Sequence, residues 1–195
     1  MLKYIQALNT QGLNMTSSES TAPVIEYGLL GLLYQQPQHG YGLFKKIQTN
    51  FSLIWRVKLS KLYYLLDKLE DQGLLTPTLV PDDKTPDRKV YHITAEGERV
   101  FLDWIQSPVE SAREMRISFL ARLYFALQIG RNQALTLLAA QDSISQKWLQ
   151  NLTSQFDEIE NQDFITKRVF SYRIGQVQAM LAWLDECKQQ IVIEN

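Results

Sequence analysis

The chain has 195 residues, of which 45% are hydrophobic, and its formal net charge at pH 7 is −1. This length and composition predict one or two small globular domains, and no apolar run approaches the roughly 18 to 20 residues that span a bilayer. No signal peptide is recognisable, and the single cysteine, Cys187, excludes an intrachain disulfide framework, so we expect a cytoplasmic protein.

The charges are distributed unevenly along the chain. From residue 27 to residue 66 there is no Asp or Glu, whereas the basic residues there are Lys45, Lys46, Arg56, Lys58 and Lys61. A segment of one sign produces a local field, and a polyanion responds to that field rather than to the average charge. The pattern favours nucleic-acid binding although the total charge is close to zero.

The N-terminal part of the chain predicts a flexible extension followed by two helices. Residues 1–23 are polar and rich in Ser and Thr after a short MLKYIQAL segment, and Met15 is an alternative start. Residues 24–36 have the apolar spacing of a helix, and the turn formers of residues 37–40 end it. Residues 41–51 predict a second, short helix with Lys45 and Lys46 on its outer face.

The stretch LSKLYYLLDKLEDQGLL, residues 59–75, predicts the central helix of this half. Its apolar positions recur at spacings of three and four, the period of one helix face, at Leu59, Leu62, Leu66 and Leu69. On the other side lies a stripe of cation, aromatic and cation formed by Lys61, Tyr64 and Lys68. Gly73 is suited to the left-handed conformation after a helix end. Taken alone, the stretch could also be an ordinary amphipathic surface helix.

Residues 74–94 predict a β-hairpin, the wing of a winged helix-turn-helix domain. The strands 74–80 and 89–94 are joined by PDDKTPDR, which is rich in turn formers, and Pro77 indicates an edge strand or a bulge. Thr94 can cap a following helix over residues 95–106. Ser107 and Pro108 end that helix, so we place the domains at 24–107 for DNA binding and 108–195 for the helical part.

The C-terminal half predicts almost continuous helix, over residues 113–129, 132–156 and 164–191, with an acidic loop at 157–162. In the last helix the apolar residues are spaced four, three, four and three, as in a coiled-coil seam: Phe170, Ile174, Val177, Leu181 and Leu184. An intrachain core could use the same spacing. We favour a homodimer interface, because a few long helices alone leave much apolar surface uncovered.

The order of these motifs resembles the PadR-like transcriptional regulators. The matching segments are LLGLL (29–33), HGYGLFKKI (39–47), LYYLLDKLEDQGLL (62–75) and RKVYHITAEGERVFLDW (88–104). Residues 119–127 and 180–191 are similar to the long helical domain of the branch that includes virulence-gene activators. The resemblance implies a mainly α fold with a small wing, and a homodimer on a near-palindromic operator. It also implies repression, which a small molecule relieves in many members.

One segment departs from the family pattern, because Lys58 and Ser60-Lys61 stand where many relatives have a Ser or Thr and a Gly-Thr pair. Either Ser60 caps the central helix, which then begins later than in those relatives, or the first turn of this helix is frayed until DNA binds. The base preference of relatives therefore does not transfer to this chain.

A recognition helix enters the major groove, where each base pair presents a distinct edge. We predict groove contacts by Lys61, Tyr64 and Lys68, and phosphate contacts by Lys58 and Ser60. Further predicted backbone or minor-groove contacts are Tyr41, Lys45 and Lys46 on the second helix, and Lys84, Arg88 and Lys89 on the wing. Tyr63 either reaches a phosphate or is half-buried against the first helix. Any single lysine could equally be a solvated surface charge.

No enzymatic or metal site is predicted, and we expect neither a cofactor nor catalysis. The two histidines, His39 and His92, are far apart and have no cysteine nearby; we expect a turn hydrogen bond for His39. Cys187 lies near the apolar seam and is expected to pack rather than to react. The acidic residues between the wing strands lack the ligand spacing of a calcium loop.

Two functions remain open at this point. The first is a DNA-binding transcriptional regulator. The second is a winged-helix interaction module that has lost DNA binding, and the near-neutral charge and the altered helix start favour this second function.

Three tryptophans are candidates for lining an effector pocket, with core packing as the alternative: Trp104, Trp148 and Trp183.

Overall fold

The computed structural model describes residues 21–81, 88–157 and 164–193. They form seven α-helices, one short 3₁₀ helix and one antiparallel sheet. The elements in chain order are α1 (Thr21–Gln35), β1 (Gln38–His39), α2 (Gly40–Asn50), α3 (Leu59–Asp71), β2 (Leu75–Val80), β3 (Arg88–Ile93), α4 (Ala95–Gln106), the 3₁₀ helix Glu114–Arg116, α5 (Ser118–Ile129), α6 (Arg131–Asp157) and α7 (Phe164–Ile193). The fold is therefore mainly α with a small wing, as predicted.

The chain divides into two compact units. One unit extends through Trp104 and includes Arg116–Ala121, and the other comprises Ile105–Met115 and Arg122–Asn195.

In the first unit, α1 and α3 supply most of the core. The apolar stripe of α3 is fully buried, as the spacing of its leucines predicts: Leu62, Leu65, Leu66 and Leu69. At about 25 cal/mol per Å² of apolar area removed from water, such a stripe is a major stabilising term. Trp55 closes the core between α2 and α3, where it stacks on Phe51 at a centroid distance of 4.5 Å. Its ring also lies against Gly28 of α1.

The sheet has the strand order β1-β3-β2, so β2 is an edge strand. The wing pairs Leu75 with Ile93 and Val80 with Arg88. Pro77 is tolerated because an edge strand needs only one row of ladder hydrogen bonds. Strand β1 was not predicted: residues 37–40 read as a turn, whereas Gln38 and His39 pair with β3. The predicted hairpin tip with Lys84 lies outside the described residues.

The two ends of the wing are fastened to the helices on either side. Gly73 has a φ of +70°, the left-handed conformation that ends α3. The Thr94 hydroxyl accepts a hydrogen bond from the Gly97 N–H at 3.1 Å, as the predicted cap requires, and donates to the Gly73 carbonyl at 2.8 Å. A side chain at Gly97 would collide with the Leu74 carbonyl, so the start of α4 lies directly on the start of β2.

In the second unit, α6 and α7 pack antiparallel. Phe156 lies 6.0 Å from Phe170 at one end, and the Lys188 ammonium lies 3.0 Å from the Asp142 carboxylate at the other. The Gln141 side chain is fully buried and hydrogen-bonds both the N–H and the carbonyl of Val109. These bonds fasten the segment that precedes α5 to α6.

The seam that we predicted as the dimer interface is used inside the chain. Phe170 and Val177 form a buried cluster with Leu152 of α6, and Ile174 and Leu181 pack against it. Leu184 is fully buried as well. The seven-residue period indicates an apolar face but not its partner, and α6 of the same chain covers this one. Phe170, Val177 and Leu184 thus pack within the chain, the alternative that the spacing left open, whereas Ile174 and Leu181 are only partly buried and their contact with a second chain stays a prediction.

None of the helices in the described ranges is long and apolar enough to cross a membrane.

Candidate nucleic-acid interface

The N-terminal half of α3 presents an exposed basic and aromatic surface. Lys58, Ser60 and Lys61 are exposed, and 59% of Tyr64 is accessible to solvent. The Lys61 ammonium lies 4.4 Å from the centre of the Tyr64 ring, a cation–π distance. This pair keeps one cation and one flat aromatic face together on the outer side of the helix.

The start of α3 has no side-chain cap. Lys58 occupies the N-cap position with extended backbone angles (φ −82°, ψ 148°) and makes no capping hydrogen bond. Ser60, which we considered as a late cap, is exposed. The first N–H groups of a helix need acceptors, and the positive end of the helix dipole favours an anion there. The uncapped start can therefore accept a phosphate oxygen.

The C-terminal half of α3 has the opposite charge. Asp67 and Asp71 are exposed, and Glu70 lies 3.3 Å from the Lys89 ammonium. Lys68 donates hydrogen bonds to both carboxylate oxygens of Glu26, at 2.8 and 2.9 Å, and these bonds raise the pKa of Lys68. Lys68 was predicted as a groove contact, but in the structure its charge is neutralised by α1. The cationic surface of α3 is thus restricted to its first two turns.

Helix α2 adds a second lysine and tyrosine pair. Half of Tyr41 is exposed, and the Lys45 ammonium lies 5.0 Å from the centre of its ring, whereas Lys46 is half-buried. His39 caps this helix, because its Nδ1 accepts a hydrogen bond from the Gly42 N–H at 3.1 Å. The predicted turn hydrogen bond of His39 is therefore present.

Tyr63 packs on the N-terminus of α2. A Cβ atom at Gly40 would lie 2.5 Å from Cε1 of the Tyr63 ring, so the ring occupies the space that any other residue would fill. The side chain remains 40% exposed. Glycine at position 40 fixes the distance between α2 and α3 at this point.

Tyr63 also lines a pocket of about 600 Å³ at the base of the wing. We call it the wing-base pocket; its lining residues are His39, Gly40, Tyr41, Tyr63, Asp67, Arg88, Lys89 and Tyr91. Tyr91 is only 2% exposed, and its burial, aided by the nearby Asp67 and Glu70 carboxylates, raises the pKa of Tyr91 to about 12. Sequence reasoning missed Tyr91 and Asp67, although the alternation along β3 indicates that Tyr91 points inward.

The wing contributes Arg88 and Lys89, both exposed at the start of β3. Arg88 lies opposite Val80 and Lys89 opposite Leu79, and these two apolar side chains of β2 are exposed too. The wing therefore combines cations with apolar groups, which suits contact with a sugar-phosphate backbone.

The three tryptophans that we considered for an effector pocket are divided between the two units. Trp104 stacks on Tyr27 at 4.8 Å with nearly parallel rings. Trp148 packs against the cluster around Leu152, and Trp183 is half-buried on α7. Core packing thus accounts for Trp104 and Trp148.

Other candidate chemistry is sparse in the described part of the chain. Burial raises the pKa of the Cys187 thiol, which makes it less reactive. No group of three or more His, Cys, Asp or Glu side chains in the described ranges could hold a metal ion.

Comparison with known proteins gives two family matches in succession. Residues 29–103 match the transcriptional regulator PadR-like family, and residues 115–191 match the virulence activator alpha C-terminal family. The chain is 25% identical over 136 residues to the negative transcriptional regulator PadR of Bacillus subtilis, covering 70% of this chain and 75% of that protein.

The comparison also gives two further similarities. The chain is 27% identical over 96 residues to a probable transcriptional regulator of Mycobacterium tuberculosis, covering 49% of this chain and 51% of that protein. A crystal structure of Bacillus subtilis PadR in complex with operator DNA matches 86% of this chain and 99% of that chain, at 23% identity and a TM-score of 0.44.

Proposed function

Because this chain belongs to the PadR-like family of transcriptional regulators, we propose that it represses transcription as a homodimer on a near-palindromic operator. Each α3 enters a major groove with its N-terminal half, and the two half-sites lie one helical turn apart, about 34 to 36 Å. The wing and the start of α2 hold the flanking backbone.

The observation that carries this proposal is the polarity of α3. Lys58, Ser60, Lys61 and Tyr64 are exposed on its first two turns, while Asp67 and Asp71 are exposed on its last turns. Helix-turn-helix proteins read bases with the N-terminal residues of the recognition helix. A helix with this charge distribution can dock in only one orientation, because the opposite one would place carboxylates against phosphates.

Repression is supported by the relative in Bacillus subtilis, whose name describes a negative regulator. A dimer that covers a promoter excludes the polymerase without any further contact. A dimer is also what two half-sites require, because the symmetry of the operator mirrors that of the protein.

For the dimer surface we propose the outer face of α7, since the inner seam is closed by α6. Ile165, Val169 and Tyr172 recur at spacings of four and three, and they are 67%, 48% and 66% exposed. Phe164, beside them, is 72% exposed. A row of exposed apolar residues this large is unusual on a monomer and is typical of a protein interface.

Control by a small-molecule effector is also part of the proposal, because the family resemblance implies it. Saturable quenching of tryptophan fluorescence by apolar or phenolic compounds would support it. An unchanged emission across such a set would exclude the compounds tested as ligands near Trp104, Trp148 or Trp183.

The deciding experiment is fluorescence anisotropy with labelled DNA from upstream of the gene, beside a scrambled duplex, at several salt concentrations. We expect preferential binding of the native fragment, with log K falling by roughly 0.9 per neutralised phosphate for each log unit of salt. Weak and equal binding of both duplexes at all salt concentrations would contradict specific regulation at this site. The interaction module without DNA binding would then be the better interpretation.

A further inference from the structure

Lys89 of the wing forms an ion pair with Glu70 of α3. The Lys89 ammonium lies 3.3 Å from a carboxylate oxygen of Glu70. In the sheet, Lys89 lies opposite Leu79 of β2, and the next residue, Val90, lies opposite His39 of β1. Strands on both sides therefore hold this part of β3, so the position of the wing does not depend on the ion pair.

Both side chains of this pair are accessible to solvent. The exposed fraction is 47% for Lys89 and 30% for Glu70. An exposed ion pair contributes little stability, because water solvates either charge after separation. The distance of 3.3 Å is also longer than the roughly 2.7 to 2.9 Å typical of a charge-assisted hydrogen bond. Lys89 can therefore leave Glu70 at small cost.

The ion pair between α3 and α1 has the opposite character. Lys68 donates to both carboxylate oxygens of Glu26, whose side chain is largely buried. Separation would leave that carboxylate without a partner in a poorly solvated position, which is costly. Of these two lysines, Lys89 is thus the one whose charge can be transferred to another anion.

The pair of Lys89 and Glu70 lies beside the surface that we propose to face DNA. Lys89 lines the wing-base pocket together with Tyr41 and Tyr63, which are both partly exposed. Glu70 follows Tyr63 by seven residues, close to two helical turns, so the two side chains lie on the same face of α3. A phosphate that approaches Lys89 therefore also approaches the Glu70 carboxylate, and the two anions compete for one cation.

We propose that Glu70 restrains DNA binding by holding Lys89 in the free protein, and that a backbone phosphate of the bound duplex takes Lys89 over. This inference rests on the proposed function and deepens it, because it identifies a residue that limits the affinity of the wing for DNA. The carboxylate lowers the affinity in two ways: the ion pair has to be broken, and the released carboxylate then repels the phosphate. Only the first contribution depends on Lys89.

The test is a double-mutant cycle of Glu70→Gln and Lys89→Met in the full-length protein, measured by anisotropy on the native duplex at one salt concentration. We expect Glu70→Gln alone to tighten binding about fivefold, but less than about twofold in the Lys89→Met background, where the ion pair no longer exists. Asp71→Asn is the matched control. Asp71 is the residue after Glu70, is exposed and lies outside this ion pair, so its replacement should have the same effect in both backgrounds.

An equal gain from Glu70→Gln in both backgrounds would show that the carboxylate only repels DNA, and would refute the transfer of Lys89. A loss of affinity, or no change, would refute the restraint as well. Circular dichroism and denaturant unfolding verify that the variants fold. The proposed function stands in all these cases as long as the wild type prefers the native duplex to a scrambled one. If no duplex is bound, the proposed function fails and the restraint fails with it.

Discussion

The Lys68 ammonium donates to both carboxylate oxygens of Glu26, across 42 positions of sequence, at 2.8 and 2.9 Å. Only 14% of the Glu26 side chain is exposed, so this carboxylate depends on its partner for solvation. The pair joins α1 to α3 and neutralises one cation of the surface that we propose to face DNA.

Replacing Lys68 should therefore affect stability rather than recognition. We expect Lys68→Met to lower the free energy of unfolding by about 1 to 3 kcal/mol, because it leaves the Glu26 carboxylate largely buried and unpaired. DNA affinity measured well below the melting temperature should change less than twofold. Glu26→Gln in the same chain should restore most of the stability in denaturant titrations. A large loss of DNA affinity with unchanged stability would instead place Lys68 at the groove.

Lys61 should behave in the opposite way. It is exposed and lies 4.4 Å from the Tyr64 ring, with no carboxylate partner among the described residues. We expect Lys61→Ala to weaken binding by roughly 1 to 3 kcal/mol and to change the ranking of operator sequences, while the free energy of unfolding stays the same. Anisotropy on a panel of single-base operator variants measures both. An equal loss on every sequence would show that Lys61 contacts a phosphate.

Much of this fold follows from periodicity, and the remainder depends on which partner each face meets. The bounds of α3 and α4 and the edge position of β2 were predictable because leucine spacing, Thr94 and Pro77 are local signals. Strand β1 has two residues, too few for any pattern. The apolar seam of α7 was recognised, but its spacing does not tell that α6 of the same chain covers Phe170 and Val177. The pairing of Lys68 with Glu26 likewise depends on packing that no local signal encodes.

A side chain at Gly40 should disturb the contact between the start of α2 and Tyr63 of α3. Gly40→Ala would place Cβ 2.5 Å from the Tyr63 ring, so the ring or α2 has to move. We expect DNA affinity to fall at least fivefold. Gly175→Ala is the control: nothing lies within 4 Å of its Cβ position in the middle of α7, and it should stabilise the protein by about 0.5 to 1 kcal/mol. Unaltered DNA binding by Gly40→Ala would show that the contact between α2 and Tyr63 is not needed.

The raised pKa of Tyr91 predicts that the free energy of unfolding decreases at alkaline pH. Its pKa is raised from 10.0 to about 12, so the folded state holds this proton more tightly than the unfolded state does. The resulting stability is fully present below pH 10 and is lost as the pH rises towards 12, by roughly 2 to 3 kcal/mol for two pKa units. Denaturant unfolding of wild type and Tyr91→Phe at a series of pH values measures this difference. Parallel stability profiles between pH 10 and pH 12 would contradict the assignment.

The outer face of α7 should control the oligomeric state. Val169 and Tyr172 are exposed there, and burying a carboxylate between two copies would be costly, so we expect Val169→Glu with Tyr172→Glu to produce a monomer. Ser171→Glu is the matched control, since Ser171 is exposed but lies away from this row. Sedimentation velocity gives the mass, and circular dichroism verifies that the helices persist. A monomer should also bind a single half-site, with the same salt dependence per phosphate. It should lose the preference for the full operator, because two linked α3 helices are needed to read both half-sites. A double variant that remains dimeric would move the interface to another surface of the second unit.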